Sequence, residues 1–232
     1  MRADTVVDDQ DPPVPAHPIR VALVDDQSLV RNGFRMMLDT IPDIEVVGEA
    51  NNGYEALDLL RETIVDVVLM DVRMPGIDGI ETTTRIMEAA YPVKIIILTT
   101  FDLDDYVYEA LRAGASGFLL KDARSTELVD AIRAVDSGDA IMAPSTTKRL
   151  LSNLVPAPDR SRRDARLDLL TEREVEVLKA IAQGLNNTEI CESLHLAEGT
   201  VKSHISRLLS KLQVRDRVGL VLLAYDMGLL ER

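Results

Sequence analysis

Between about residue 18 and residue 136 the chain repeats one pattern five times: a short apolar run, then a longer segment with apolar residues at helical spacing. The runs fall at 19–24, 44–47, 66–70, 93–98 and 117–120. The periodic segments between and after them fall at 29–38, 54–60, 80–89, 106–113 and 127–135. The runs are apolar at consecutive positions rather than alternate ones, as strands covered on both faces require. Strand–helix alternation then implies a parallel sheet with helices on both sides, because a parallel crossover needs the length that a helix supplies. Gly114 stands where a helix C-cap glycine is expected.

Hydrophobic residues make up 46% of the chain while aromatics make up 3%, with no Trp, so the core must be built mostly of Leu, Ile, Val and Ala. The single cysteine, Cys191, cannot form an internal disulfide, which fits a reducing compartment. No apolar stretch approaches the ~18 residues of a membrane span. Residues 1–17 are acidic and Pro-rich, without a basic segment followed by an apolar run, and read as a loose tail rather than a secretory signal. A cytoplasmic protein with no membrane partner is expected.

The net charge of −13 argues at first against a nucleic-acid partner, but its distribution does not. Residues 166–232 hold nine basic and ten acidic side chains, which leaves −12 to residues 1–165. Within 199–217 there are five basic residues and one acid. Residues 137–165, with Pro144, Pro156, Pro158 and the run RSRRDAR, read as a linker that has some helical character at 145–154. From Thr171 the pattern is helical again. Thr171/Glu174 and Asn186/Glu189 have capping-box spacing, Gly184 can end the first helix, a third runs from about 198 to 212, and Asp216 can cap a fourth. Short helices with tight turns point to a helix-turn-helix module at 166–232.

Ligands of an open parallel sheet bind beyond the carboxyl ends of its strands. The first run ends on Asp25 and Asp26, the third on Asp71, the fourth on Thr99 and Thr100, and the fifth on Lys121. Any one of these has a bland reading: a strand-end acid is usually a turn former, a lone Lys a surface charge, a Thr strand filler. Jointly they are a site. Three converging carboxylates repel and need a cation, and an all-oxygen set suits Mg²⁺. Thr99 and Lys121 remain to hold an anion, and a carboxylate is a competent nucleophile toward phosphorus.

LVDDQ, LMDVRMPGIDG, LTTFD and GASGFLLKD resemble the receiver domain of two-component response regulators over residues 18–136. The resemblance implies a flavodoxin-like sheet in the order 2-1-3-4-5, with Asp71 as phosphoacceptor. It implies Mg²⁺ held by Asp26, Asp71 and the backbone carbonyl of Arg73 with support from Asp25, and Thr99 and Phe118 as switch residues. Lys121 would pair with the phosphate, and the phosphodonor would be a sensor histidine kinase. Asp122 stands where many receivers have proline.

In the third C-terminal helix, Val201, Ile205, Leu208 and Leu212 share one face, and Lys202, Ser203, Ser206 and Ser210 share the other, with Arg207 at its margin. Small polar and basic residues on an exposed face suit a major groove, and Lys211, Arg215 and Arg217 would suit phosphates. The stretch from Leu170 to Arg217 is similar to the LuxR-type helix-turn-helix of the NarL/FixJ class. That implies double-stranded DNA as partner, contacted by Asn187, Thr200, Lys202, Ser203, His204, Ser206, Arg207, Lys211 and Arg215. Ala197 replaces the usual capping Ser, and Cys191 replaces a small Ala and is expected to be buried. The segment 218–225 is apolar nearly all round, more than one small module can bury, so it is expected to pair two copies on DNA.

A rival reading makes Asp71 the nucleophile of a phosphatase. Such a site needs a second acid just after the nucleophile, whereas Arg73 stands two residues along and no acid follows before Asp78.

Overall fold

The computed structural model describes residues 17–99, 104–137 and 165–229. The first domain runs β1 (Ile19–Val24), α1 (Ser28–Leu38), β2 (Ile44–Ala50), α2 (Gly53–Glu62), β3 (Val67–Asp71), α3 (Gly79–Glu88), β4 (Lys94–Thr99), α4 (Asp104–Ala113), β5 (Gly117–Leu120) and α5 (Ser125–Asp136). The strands are parallel and lie in the order β2-β1-β3-β4-β5, as expected. Boundaries move by a residue or two, and β2 runs three residues further because pairing with β1 continues to Ala50.

The strands divide their side chains between two cores. Val21, Leu23, Val67, Leu69, Ile96 and Leu98 meet Leu38 of α1 and Leu128 and Ile132 of α5 on one face. The intervening Ala22, Val24, Val68, Met70, Ile95 and Ile97 meet Ala56, Leu60, Ile86 and Leu111 of α2, α3 and α4 on the other. This is why the runs had no alternation to read. All five residues of β3 are buried, which makes it the most enclosed mount in the sheet.

The second domain follows a 3₁₀ turn at Ala165–Leu169 with α6 (Glu172–Ala182), α7 (Asn187–Leu194), α8 (Glu198–Leu212) and α9 (Arg217–Asp226). The expected capping boxes at Thr171/Glu174 and Asn186/Glu189 form, and the Asp216 side chain caps α9 by accepting from the Gly219 amide at 3.1 Å. Val201, Ile205, Leu208 and Leu212 enter the module core. Cys191 is half-buried rather than fully buried, at the edge of that core.

Helix α9 departs most from expectation. Leu220, Val221, Leu223 and Ala224 pack into its own module, but Val218 and Leu222 pack into the α2–α4 core of the first domain. The apolar excess read for pairing two copies is covered here by the chain's own first domain. Residues 1–16 of the expected tail (1–17) and the helical part of the linker (145–154) lie outside the described residues, as does Thr100.

Ala197 occupies the N-cap of α8 with φ −73° and ψ 149°, and no side chain caps the helix. Ala197→Ser places a hydroxyl in an already extended cap and is expected to stabilise the second domain by about 0.5–1 kcal/mol, read as a higher urea midpoint.

Candidate functional site

Sheet register brings the chemistry together. Val24 pairs with Met70, so Asp25 emerges beside Asp71 in the crevice between β1 and β3, where the strand order reverses. Thr99 pairs with Leu120, so Lys121 leaves β5 next to it, and the Lys121 amide donates to the Thr99 carbonyl at 2.7 Å. Asp71 and Thr99 are 4% and 2% exposed. Asp26 is exposed at the mouth.

Behind Asp71 the chain turns under tight constraint. The Gly79 amide donates to the Val72 carbonyl at 2.8 Å, and a Cβ at Gly79 would stand 2.1 Å from the Asp71 carbonyl oxygen. Only glycine allows α3 to start this close to β3. The Asp78 side chain then caps α3 through the Glu81 amide. Arg31, a buried cation in α1, donates to the Asp25 carbonyl at 2.5 Å and pairs with Glu49. It fixes the β1 end from behind. Its only mark in the sequence is a charged residue inside an apolar-periodic helix, which alone does not distinguish it from a solvated arginine.

Lys121 Nζ lies 2.9 Å from Asp71 Oδ2 and 2.7 Å from Asp25 Oδ2. The Asp25 contact is the shorter of the two ion pairs, at a buried carboxylate oxygen. Carboxylate oxygens of Asp25, Asp26 and Asp71 lie within 4.8 Å of one another. One lysine faces three acids, so the cluster keeps more negative charge than its single ammonium offsets. That donor set fits a hard divalent cation with oxygen ligands. Burial pushes the Asp71 carboxyl above its ordinary value and the nearby Asp25 adds to this, against the downward pull of Lys121 and the Arg73 amide. Burial alone would lower Lys121, but its bonds to Asp25 and Asp71 outweigh this and hold it above 10.5. Phe118 is half-buried against the α2–α4 core, on β5 and separated from Asp71's strand by β4.

On α8, Thr200, Lys202, Ser203, Ser206 and Arg207 are exposed on one side, and His204 is half-buried with an unbonded Nδ1. Other residues expected at DNA are held within the protein. Lys211 Nζ pairs with the buried Glu174 at 2.7 Å and donates to the Leu169 carbonyl, tying α8 to the α6 cap. Arg217 is buried and bonds Asn187 Oδ1 at 2.8 Å and the Leu185 carbonyl, so it and Asn187 brace α7 against α9. Arg215 faces the first domain, on Gly114, Ser116 and Met87. Lys202 carries an exposed pair with Glu198 one turn earlier, which holds it weakly.

Residues 21–133 match the response regulator receiver domain and residues 168–224 match the bacterial regulatory proteins of the luxR family. The chain is 45% identical over 213 residues to the transcriptional regulatory protein YxjL of Bacillus subtilis, covering 92% of this chain and 98% of that one. It is 44% identical to LiaR of the same organism over 199 residues, 86% of this chain and 93% of LiaR. It is 39% identical to VraR of Staphylococcus aureus over 214 residues, 92% and 99%. A solved complex of the response regulator RcsB with DNA superposes at a TM-score of 0.54 with 26% identity, over 90% of this chain and 99% of that one. The chain belongs to the two-component response regulators that join a receiver domain to a LuxR-type DNA-binding domain. That is a family of transcriptional regulators and not of turnover enzymes, which removes the phosphatase reading.

Three outcomes test the geometry. The raised Asp71 value means that this group's contribution to stability is fully present below 3.8 and is lost as the pH rises through the higher folded value. At neutral pH the ionised side chain is therefore a cost, and in metal-free buffer Asp71→Asn should raise the urea midpoint of the receiver. In the second domain, Lys211→Ala should cost about 1–2 kcal/mol, after allowance for its partial exposure, because it leaves the buried Glu174 carboxylate with only its Thr171 capping bonds and no counter-charge. Lys202→Ala should leave the melting temperature unchanged and weaken DNA binding, with a salt slope shallower by about 1.

Proposed function

We propose that Asp71 accepts a phosphoryl group from a histidine-phosphorylated sensor kinase, and that this modification controls DNA binding by residues 166–232. Residues 18–136 are the receiver and 137–165 the linker. A nucleophile must be held rigidly and desolvated, with compensating charge within contact distance. The observation that carries the reading is the Lys121 ammonium lying 2.9 Å from an Asp71 carboxylate that terminates a wholly buried strand.

An Asp71 oxygen forms the bond to phosphorus as the P–N bond of the phosphohistidine breaks, and the bonding pair returns to the imidazole, which takes up a proton. Lys121 is placed to exchange its carboxylate contact for a phosphoryl oxygen, and Thr99 to donate its hydroxyl to another. Asp25, Asp26, Asp71 and the Arg73 carbonyl would hold Mg²⁺, which supplies further neutralisation of the phosphoryl oxygens when bound. The phosphoryl group adds charge next to β4 and β5, and Thr99 and Phe118 are the groups through which those strands would register it.

The output is a contact with double-stranded DNA. The open face of α8, with Lys202, Ser203 and Ser206 toward base edges and Thr200, His204 and Arg207 at its borders, is the segment of suitable shape and charge for a major groove. A second copy would supply the second half-site, and the cytoplasm is the compartment where kinase and DNA are both reached.

The test is acetyl phosphate with Mg²⁺ and a genomic DNA fragment selected by the wild-type protein. Phosphorylation should raise affinity about tenfold or more, a coupling of ~1.4 kcal/mol. Asp71→Asn and removal of Mg²⁺ with EDTA should each abolish that gain without abolishing basal binding. A gain that persists in Asp71→Asn would refute the reading.

A further inference from the structure

Asp25 is held at each of its polar atoms, by a different neighbour each time. Its amide donates to the Ala50 carbonyl of β2 at 3.2 Å. Its Oδ1 accepts from the amide of Gln27, the N-cap residue of α1, at 2.8 Å, and its Oδ2 pairs with Lys121 at 2.7 Å. Its carbonyl accepts from Arg31 Nη1 at 2.5 Å. Arg31 is 9% exposed and also donates through Nε to Glu49 Oε2 at 3.2 Å. Arg35, one turn further along α1 and more open to solvent, takes the other Glu49 oxygen at 2.5 Å. One acid thus holds two arginines, and the enclosed one reaches on to the site.

Glu49 faces α1 because the sheet slips beneath it. The β1–β2 register shifts by one residue between the pairs Val21–Val46 and Ala22–Gly48, passing over Val47. Leu23 therefore pairs with Glu49, and paired residues share a sheet face, here the one that α1 and α5 cover. In an unbroken register Glu49 would pair with Val24 and face α2. The slip thus supplies the acid that lets an arginine be enclosed beside Asp25. The Asp25 carbonyl and the Asp26 amide belong to one planar peptide unit, and the Cα of Asp26 lies in that plane. The Arg31 bond fixes it. Asp26 itself is exposed, so packing does little to aim its carboxylate.

We propose that Arg31, clamped by Glu49, is a positioning residue of the cation site: through the Asp25–Asp26 peptide it aims the exposed Asp26 carboxylate at the ion. The inference rests on reading Asp25, Asp26 and Asp71 as a divalent-cation site. The charge of Arg31 works in the opposite direction from its geometry. A fixed cation behind three acids repels a second cation, so an arginine acting through its field alone would weaken metal binding. Removing Arg31 therefore has opposite signs under the two accounts: affinity falls if the residue positions Asp26, and rises if only its field is felt. The guanidinium suits the task because its fork serves the carbonyl and the acid together, which the single ammonium of a lysine cannot reproduce.

The full-length, unphosphorylated protein is the material for the test, with Mn²⁺ alone as the probe. Bound Mn²⁺ is read from the loss of the free-ion electron paramagnetic resonance signal, and competition with Mg²⁺ gives the Mg²⁺ Kd. Arg31→Lys keeps the charge and loses the fork, and Arg31→Met loses both; each should raise the Kd about fivefold or more. Arg35→Met removes a charge from the same acid without touching Asp25 and should change the Kd less than about twofold. In the metal-free protein, the Asp26 and Gln27 amides should exchange faster in both Arg31 variants. Asp26→Asn weakens binding by itself, and adding Arg31→Lys to it should cost less than about twofold more, because the route through Asp26 is already lost. A general loss of stability would not produce that non-additivity. Should Arg31→Met not fold, Arg31→Lys decides. A Kd unchanged or lowered in the Arg31 variants, or the full loss repeated in the Asp26→Asn background, would overturn the proposal while leaving the cation site standing. A wild-type protein that takes up no Mn²⁺ would remove the site and this inference with it. No phosphoryl donor or DNA enters the assay, so the Asp71 phosphoacceptor reading is tested separately.

Discussion

The receiver is organised around one under-compensated charge cluster. Lys121 reaches two buried carboxylates, Asp25 and Asp71, from a different strand of the sheet, while Asp26 adds a third acid at the mouth. Such an arrangement is costly to fold, because each charge loses solvation that a single ammonium only partly replaces. It persists because the crevice is set by backbone pairing: β1 and β3 emerge side by side at the point where the strand order reverses, and β4 and β5 follow in register. The apolar sheet, packed on both faces, is rigid enough to hold the acids together against their repulsion. That tension makes the site responsive, since a group that changes its charge also changes which contacts Lys121 and Thr99 prefer.

Much of this was legible in the chain. Consecutive apolar residues at 21–24 and 67–70 indicated strands covered on both sides, and the residue following each run named the site because strand ends converge in only one place in a parallel sheet. Caps at Thr171, Asn186 and Asp216 were legible because their chemistry is local, confined to three or four residues. The basic residues after the recognition helix were not. Lys211, Arg215 and Arg217 look alike along the sequence, yet one anchors a buried glutamate, one crosses to the other domain and one is enclosed between helices. Nothing local distinguishes an arginine that will meet phosphate from one that will meet Leu185 or Gly114. That distinction is tertiary, and so is the cover over Val218 and Leu222.

The two domains also use glycine and arginine in a shared way. Gly79 lets α3 approach the Asp71 carbonyl, and Gly114 turns a carbonyl outward for Arg215, so both ends of the receiver depend on backbone that a side chain would block. Arg31 braces the β1 end from behind as Arg217 braces the helix-turn-helix. The parts that would carry the chemistry, Asp71 and the face of α8, are thus each mounted on charges that do not themselves react.

Asp216 divides its two oxygens between separate duties: Oδ1 takes the Gly219 amide at the start of α9, and Oδ2 takes Ser116 from the receiver. Parting the domains would free only the second oxygen. The last helix would keep its capped first turn, so separation would wet a short greasy strip and release the contacts of Arg215 with Gly114 and Ser116 without any melting of the helix.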